Sequence, residues 1–487
     1  MRIISRLLSF VVVLNVMVGC ATIKNTIAPP VMTREDEVLN FKPPIPERWT
    51  LPNGLQVVYL KDDELPVVRG SLLMRGGSLW AGQYPPGATS AMGDLMRGGG
   101  SGRYSADVLD KELEKLAASV SSSFSKEFGV VSFSCLASDV NRVFRIFSDV
   151  VRNPHFEEHK LALWKGQALE GIRRRVEDPT SVASAAFTEL VYGNSPYGTI
   201  TLSKDIRRIG RAELVRLHNH LVRPDEALLV ITGAIEREAV VELVENRFKD
   251  WGARGKTLPE APEVGEQAPA GIYFIELPFK QASVEMGHQG VTRFTEDYPA
   301  IDVFNEAFGS GGFGSRLMQR VRTELGLSYG IYGAISPGIV RGVNYVFLQT
   351  KGASVGPAIR ESVKVLNVLQ NQPLSAKELL EKKSAIEQSY VFNFSSSDAI
   401  AGRLARQELL RYPATYDETY LQLIADVDSD AVQSVAKGRW RVDELVTVVV
   451  GDEAARASLE QETKVEDSPL FGSNIIKLGF IESIVRQ

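Results

Sequence analysis

Histidine and cysteine are scarce in this 487-residue chain, which has five of one and two of the other. Two cysteines allow at most one disulfide, and five histidines can each be weighed as a metal ligand in turn. No extended lysine or arginine block is present and the formal charge is −5. That balance argues against nucleic acid as the main partner. No Gly-x-Ser-x-Gly, Walker or dinucleotide-binding motif occurs. The run Gly98-Gly99-Gly100-Ser101-Gly102 is glycine-rich, but no lysine follows it in the phosphate-binding pattern. The apolar stretch at the N-terminus is shorter than the roughly 20 residues that a spanning helix needs.

That stretch is a targeting segment. Arg2 and Arg6 precede Leu7 to Val18, which is apolar apart from Ser9 and Asn15, and Met17-Val18-Gly19-Cys20 follows. This resembles a bacterial lipoprotein signal, cut before Cys20. The plainer alternative is a secretory signal with a chance cysteine. Acyl chains on Cys20 would hold the body to a membrane surface without a spanning helix. Ala21 follows Cys20, which resembles outer-membrane sorting in a double-membraned bacterium, on the periplasmic face. A lipidated Cys20 leaves Cys135 without a disulfide partner. Cys135 lies in the alternating run Val130 to Leu136 and reads as a buried small apolar residue.

Hydrophobic content of 44% and charged content of 24% are ordinary for a globular protein. The chain is too long for one core, so two or more domains are expected. Residues 1–19 are read as signal peptide and 20–46, with Pro29-Pro30 and Pro43-Pro44, as lipidated cysteine and tether. The body is then read as a repeat, with one lobe over 47–252, a Gly/Pro/Ala/Glu linker over 253–271 and a second lobe over 272–487. Each copy opens with an apolar strand (Leu55 to Leu60; Gly271 to Ile275) and closes with another (Ala227 to Gly233; Leu445 to Asp452). Each carries a long helix after an x-Pro turn, from about Glu157 to Arg175 and from about Ser375 to Tyr390. Ser375-x-x-Glu378 reads as a capping box.

Residues 311–332 then carry a specific pattern. A glycine-rich turn, Gly311-Gly312-Phe313-Gly314, leads into Ser315-Arg316-Leu317, and Arg322 and Tyr329 stand seven residues apart. This resembles the substrate-holding motif of the pitrilysin/insulinase family of zinc peptidases, which includes the mitochondrial processing peptidase. Further matches are Leu51-x-Asn53-Gly54-Leu55-x-Val57, Gly77-Ser78, Asp178-Pro179 and Tyr192-Gly193-Asn194-Ser195-Pro196-Tyr197-Gly198. The resemblance spans about residues 47–455. It implies an α+β fold of two homologous lobes, each a largely antiparallel sheet with helices packed on one face, together forming half of a clam-shell.

The family's zinc motif, His-x-x-Glu-His on a helix, puts two ligands on one helical face with a general base between them. Aligned through Gly87 and Met96-Arg97-Gly98-Gly99, its ligand positions here hold Ser90 and Asp94, and its base position holds Gly93. Glu170 stands where a distal Glu ligand would be expected. No metal is therefore expected in this chain. A literal His-x-x-Glu-His does occur at His155-Phe156-Glu157-Glu158-His159, with Glu236 as a possible distal carboxylate. It follows Asn153-Pro154, where a helix begins and acidic residues are favoured by the helix dipole. It reads as an exposed helix start, with a zinc peptidase built on His155, Glu158 and His159 as the alternative. His218, His220 and His288 read as structural.

In the resembling enzymes, the Arg/Tyr pair reaches the zinc site from the second lobe or from a partner chain. Arg322 offers a planar donor fork for a peptide carbonyl. Tyr329 offers a hydroxyl for a developing oxyanion. The expectation is a lipid-anchored subunit that resembles a metalloendopeptidase but is inactive alone. It would bind peptide substrate through Arg322 and Tyr329 and pair with a homologous zinc-bearing chain. A non-proteolytic scaffold lipoprotein is the alternative. In that case Arg322 is a solvated helix residue and Tyr329 a core aromatic of a strand from Leu327 to Ala334.

Overall fold

The computed structural model describes residues 45–252, 257–293, 295–413 and 415–479. The signal segment 1–19, Cys20 and nearly all of the 20–46 tether lie outside these described residues.

Two six-stranded sheets share one plan. The first runs β1–β2–β6–β3–β5–β4, with β1 Glu47–Thr50, β2 Gln56–Lys61, β3 Val67–Arg75, β4 Ser119–Phe124, β5 Phe128–Leu136 and β6 Ala227–Gly233. The second runs β12–β7–β11–β8–β10–β9, with β7 Gly271–Glu276, β8 Gln281–Gln289, β9 Gly330–Ser336, β10 Val343–Lys351, β11 Val446–Gly451 and β12 Ile475–Lys477. In each, a central parallel pair (β2–β6, β7–β11) is followed on one side by antiparallel neighbours out to β4 or β9; on the other side β1 joins β2 antiparallel, whereas β12 joins β7 parallel. This is the two-lobed α+β architecture that the sequence led us to expect. The short edge strands β1 and β12 were not foreseen; they are four and three residues long and largely exposed.

β6 and β11 are buried at every position. A strand covered on both faces reads as a continuous apolar run, whereas β5 and β10 alternate. The second cover comes from the other lobe. The helix Pro179–Tyr192, from the first lobe, lays Val182, Ala183, Ala186 and Phe187 on Tyr273, Ile275, Val446, Val448 and Val450. The helix Ser397–Leu409, from the second, lays Ala401 and Ala405 on Val58, Leu73, Leu228 and Val230. The lobes thus exchange one helix each. The sequence pointed to helices on a single face, because periodicity does not say which sheet a helix covers.

Local chemistry fixes both exchanged helices. Asp178 caps the first, accepting from Thr180 N at 3.1 Å and Ser181 N at 3.0 Å, with Pro179 at its first position. Gln349 Nε2 then donates to Thr180 Oγ1 at 2.9 Å across the seam. Ser396 caps the second, accepting from Ala399 N at 3.2 Å. Ser397 Oγ donates to Asp62 at 2.6 Å, and Arg69 pairs with Asp398 at 3.1 Å.

The long helices run Glu158–Arg174 and Ala376–Tyr390. Ser375 Oγ caps the latter at 3.2 Å. The reciprocal half of the expected capping box is not made, because the Glu378 carboxylate is bonded to Arg316 instead. Cys135 is a free, buried thiol, and burial pushes its pKa up to about 12.

Glu285 sits on β8 at the seam, where burial pushes its carboxyl up to about 7 against a Ser184 hydrogen bond that favours the ionised form. Ser184 lies on the exchanged helix Pro179–Tyr192. A folded-state pKa above the ordinary value means stability is full below about pH 4.3 and declines as pH rises to about 7. The whole decline is up to about 3 kcal/mol. Glu285→Gln should therefore raise the thermal midpoint by a few degrees at pH 8 and by less at pH 5. Equal shifts at both pH values would show that Glu285 does not titrate in this range.

Candidate functional site

The zinc-motif region folds as the helix Ala88–Gly98. Ala91, Met92, Leu95 and Met96 face the core, while Ser90 and Asp94 are exposed on the outer face at i and i+4. The helical geometry of a ligand pair is present, but the ligand chemistry is not. Asp94 accepts a hydrogen bond from Trp164 Nε1 at 2.8 Å. Glu170 accepts from Arg174 Nε at 2.7 Å and from Arg173 at 2.8 Å. These ion pairs hold its carboxyl below the usual range. Gly93 is buried. A hydroxyl and two carboxylates already engaged by protein donors do not fit a zinc ion, which takes His, Cys or free carboxylate ligands in a tetrahedron. Among the described residues, no group of three His, Cys, Asp or Glu is placed to hold a metal.

The literal motif at 155–159 is not one helical face. The helix starts at Glu158, and Phe156 is buried with φ +52°, so the backbone turns between the two histidines. The His155 ring bonds Gly102 O at 2.8 Å. His159 is largely exposed, 3.6 Å from Glu157. Glu236 pairs with Lys61 at 2.6 Å. The reading of a zinc site on His155, Glu158 and His159 fails because residues 155–157 precede the helix. His218 bonds Val151 O at 2.8 Å, and His288 bonds Gln289 O at 2.8 Å and accepts from Arg441 N at 3.1 Å. Both are buried structural residues.

The Arg322–Tyr329 region is built differently. The chain is wound as π-helix over Glu306–Ser310 and again over Met318–Glu324, on either side of the glycine turn. Such turns are rare and concentrate at functional sites. Gly309 is required where it stands, since a Cβ there would lie 2.4 Å from Gly333 N on β9. Gly312 has φ +55°, a conformation that favours glycine. The turn is then pinned. Ser315 Oγ donates to Gly312 O at 2.8 Å, Lys382 Nζ to Gly314 O at 2.7 Å, and Arg316 makes a two-pronged pair with Glu378 at 2.8 and 2.7 Å. Further along, Arg320 reaches Glu361 at 3.0 Å.

On this support Arg322 lies over the Phe313 ring at 5.1 Å, with Nη1 3.7 Å from Met318 Sδ. Neither contact takes up the donor fork as a carboxylate would. Tyr329 is 51% exposed and Phe313 is 65% exposed. Tyr329 precedes β9, and its N–H is bonded to Gln349 O at 2.9 Å. It is thus not the core aromatic of the alternative reading. Three contributors were not assigned to this site from the sequence: Phe313, quoted only as part of the glycine turn, Glu378, read as half of a capping box, and Lys382. Glu378 and Lys382 stand at i and i+4 on the Ala376–Tyr390 helix, a spacing that puts both on one face. Phe313 is a large apolar residue between two glycines, which marks an exposed aromatic.

Comparisons with known proteins agree with this geometry. The model described as insulinase (peptidase family M16) matches residues 56–205, and that described as peptidase M16 inactive domain matches 208–386. An uncharacterized zinc protease of Mycobacterium tuberculosis is 25% identical over 427 residues, covering 86% of this chain and 96% of that protein. A Helicobacter pylori protein described as a non-peptidase homolog is 19% identical over 400 residues, covering 81% of this chain and 91% of that protein. A solved Pseudomonas fluorescens structure, described as a peptidase M16 inactive domain, superposes with a TM-score of 0.77. It is 25% identical and covers 84% of this chain and 98% of its own. Two lobes of similar plan, matched in turn by the family's two domain models, place this chain in the insulinase (M16) peptidase family, as a member lacking the zinc motif.

Proposed function

We propose that this chain is the non-catalytic, lipid-anchored subunit of a two-chain zinc peptidase. It holds the peptide through Arg322 and Tyr329, and a homologous partner chain supplies the zinc. The observation that carries this reading is the contrast between the two lobes. Positions 90, 93 and 94 hold no ligand set, whereas Arg322 and Tyr329 keep reachable donors on a turn pinned by Glu378 and Lys382. Arg322 would bind a backbone carbonyl in the plane of its fork while its face rests on Phe313. The Tyr329 hydroxyl would donate to the oxyanion that develops on the scissile carbonyl. Cys20 would carry the acyl anchor, on the periplasmic face of the outer membrane.

A binding or scaffold lipoprotein of the same fold is the second reading. The Helicobacter pylori relative described as a non-peptidase homolog favours it.

Peptide hydrolysis by the reconstituted pair separates the two. Arg322→Ala or Tyr329→Phe should lower turnover by about a hundredfold to a thousandfold, as loss of one oxyanion donor does. Thermal midpoint and pairing should stay near wild type, because neither side chain is buried. Wild-type rates from both variants would end the catalytic reading in favour of the scaffold.

The anchor has its own test. Cys20→Ser should move the protein from the membrane to the soluble fraction after a high-salt wash, with an unchanged melting curve. Retention on the membrane would sink the lipoprotein reading.

A further inference from the structure

The helix Ala88–Gly98 is joined to the edge strand β4 at the position of the missing general base. Ser122 Oγ, on β4, donates to Gly93 O at 2.5 Å and accepts from Arg97 N at 3.1 Å. Those two backbone groups are the i and i+4 partners of one helical hydrogen bond, so a serine hydroxyl from the sheet is set into the helix ladder. Arg97 Nε donates to Val120 O at 3.2 Å, taking up a carbonyl of the same strand. The spacing this produces is too short for a side chain. A Cβ on Gly93 would stand 2.6 Å from Phe124 N and 3.0 Å from Ser123 C, both backbone atoms that cannot rotate away. Gly98, in the same helix, has nothing within 4 Å of its would-be Cβ.

The two carboxylates near this face are engaged as well. Asp94 is capped by the Trp164 indole N–H, and Glu170 is held by Arg173 and Arg174. The backbone spacing at Gly93 and the engagement of Glu170 are separate obstacles.

We infer that the general-base position of the family's metal motif has here become a packing joint, closed by Gly93 and Ser122 against β4, so that restoring the three motif residues cannot turn this chain into a zinc peptidase. A Glu at position 93 would have to push the helix off the strand, breaking the Ser122 bridge and the Arg97–Val120 bond together. Any assembly containing this chain would then take its metal and its general base from another chain. The inference concerns this chain alone and does not depend on whether a partner exists.

The test uses the purified full chain. Gly93→Ala is compared with Gly98→Ala by thermal unfolding. A Ser90→His/Asp94→His double variant and a Ser90→His/Gly93→Glu/Asp94→His triple variant are assayed for zinc by equilibrium dialysis and for cleavage of a fluorogenic peptide. Alanine is the better helix former where space allows, so Gly98→Ala should leave the midpoint unchanged or raise it. Gly93→Ala should lower it by several degrees, and Ser122→Ala should lower it too. The double variant should melt like wild type. The triple variant should melt lower still, or fail to fold, with no zinc-dependent cleavage. A Gly93→Ala protein that melts like Gly98→Ala would overturn the inference. So would a folded triple variant that binds one zinc per chain and cleaves the peptide. Failure here leaves the proposed role of Arg322 and Tyr329 standing, because that role needs no metal in this chain.

Discussion

Each sheet of this protein borrows one wall from the other lobe. β6 and β11 are apolar on both faces, and neither could stay in water with its second face bare. Phe187 and its neighbours cover one sheet, and Ala401 and Ala405 cover the other. Burying a large aliphatic or aromatic side chain is worth roughly 1.5–3 kcal/mol. The exchange therefore ties the folding of the lobes together, and polar contacts at both seams fix its register. Asp178, Thr180 and Gln349 do so at one, and Asp62, Arg69 and Asp398 at the other. Everything placed on the outer strands is held in a frame that neither lobe makes alone.

Within that frame the two edge strands have met different fates. Both β4 and β9 are approached by a helix through a glycine whose Cβ would strike the strand, Gly93 in one lobe and Gly309 in the other. In the first lobe the contact is completed by Ser122 and Arg97, and the outer helical face is occupied by the Trp164–Asp94 bond. In the second lobe the chain passes through π-helix and a glycine turn, and the pinning contacts from Glu378 and Lys382 lie behind Arg322 rather than on it. Close packing consolidates one site and presents the other. The same device, a glycine against a strand, gives opposite chemical results according to which polar side chains follow it.

Much of this was legible in the sequence. The apolar runs of β2, β6, β7 and β11 gave the repeat, because strands buried on both faces leave an unbroken signal. The motif around Arg322 and Tyr329 could be read only through its resemblance to the family's motif, since neither residue type nor the seven-residue spacing separates it from a solvated helix and a core strand. The helix exchange could not be read, since a helix of apolar periodicity says only that one face is buried. The 155–159 motif misled by spacing alone; the left-handed backbone at Phe156 that separates its histidines leaves no trace in residue order. Glu378 pointed to a cap and serves instead as the carboxylate for Arg316, a partner 62 residues away that local spacing does not show. Ser122, within the run Ser121-Ser122-Ser123, carried no signal at all, and its role exists only through the approach of a helix 25 residues away.

The central claim is that this chain grips peptide without metal, through the second lobe. The most direct measurement is binding of a fluorescein-labelled unstructured peptide to the purified chain by anisotropy, with EDTA present throughout. Wild type and Arg322→Ala would be compared, with Ser90→Ala as control. The account predicts that binding persists in EDTA, weakens by about tenfold or more in Arg322→Ala (a hydrogen bond to a charged group contributes about 1.5–3 kcal/mol, and each ~1.4 kcal/mol is tenfold), and is unchanged in Ser90→Ala. Binding abolished by the chelator, or equal in wild type and Arg322→Ala, would contradict it.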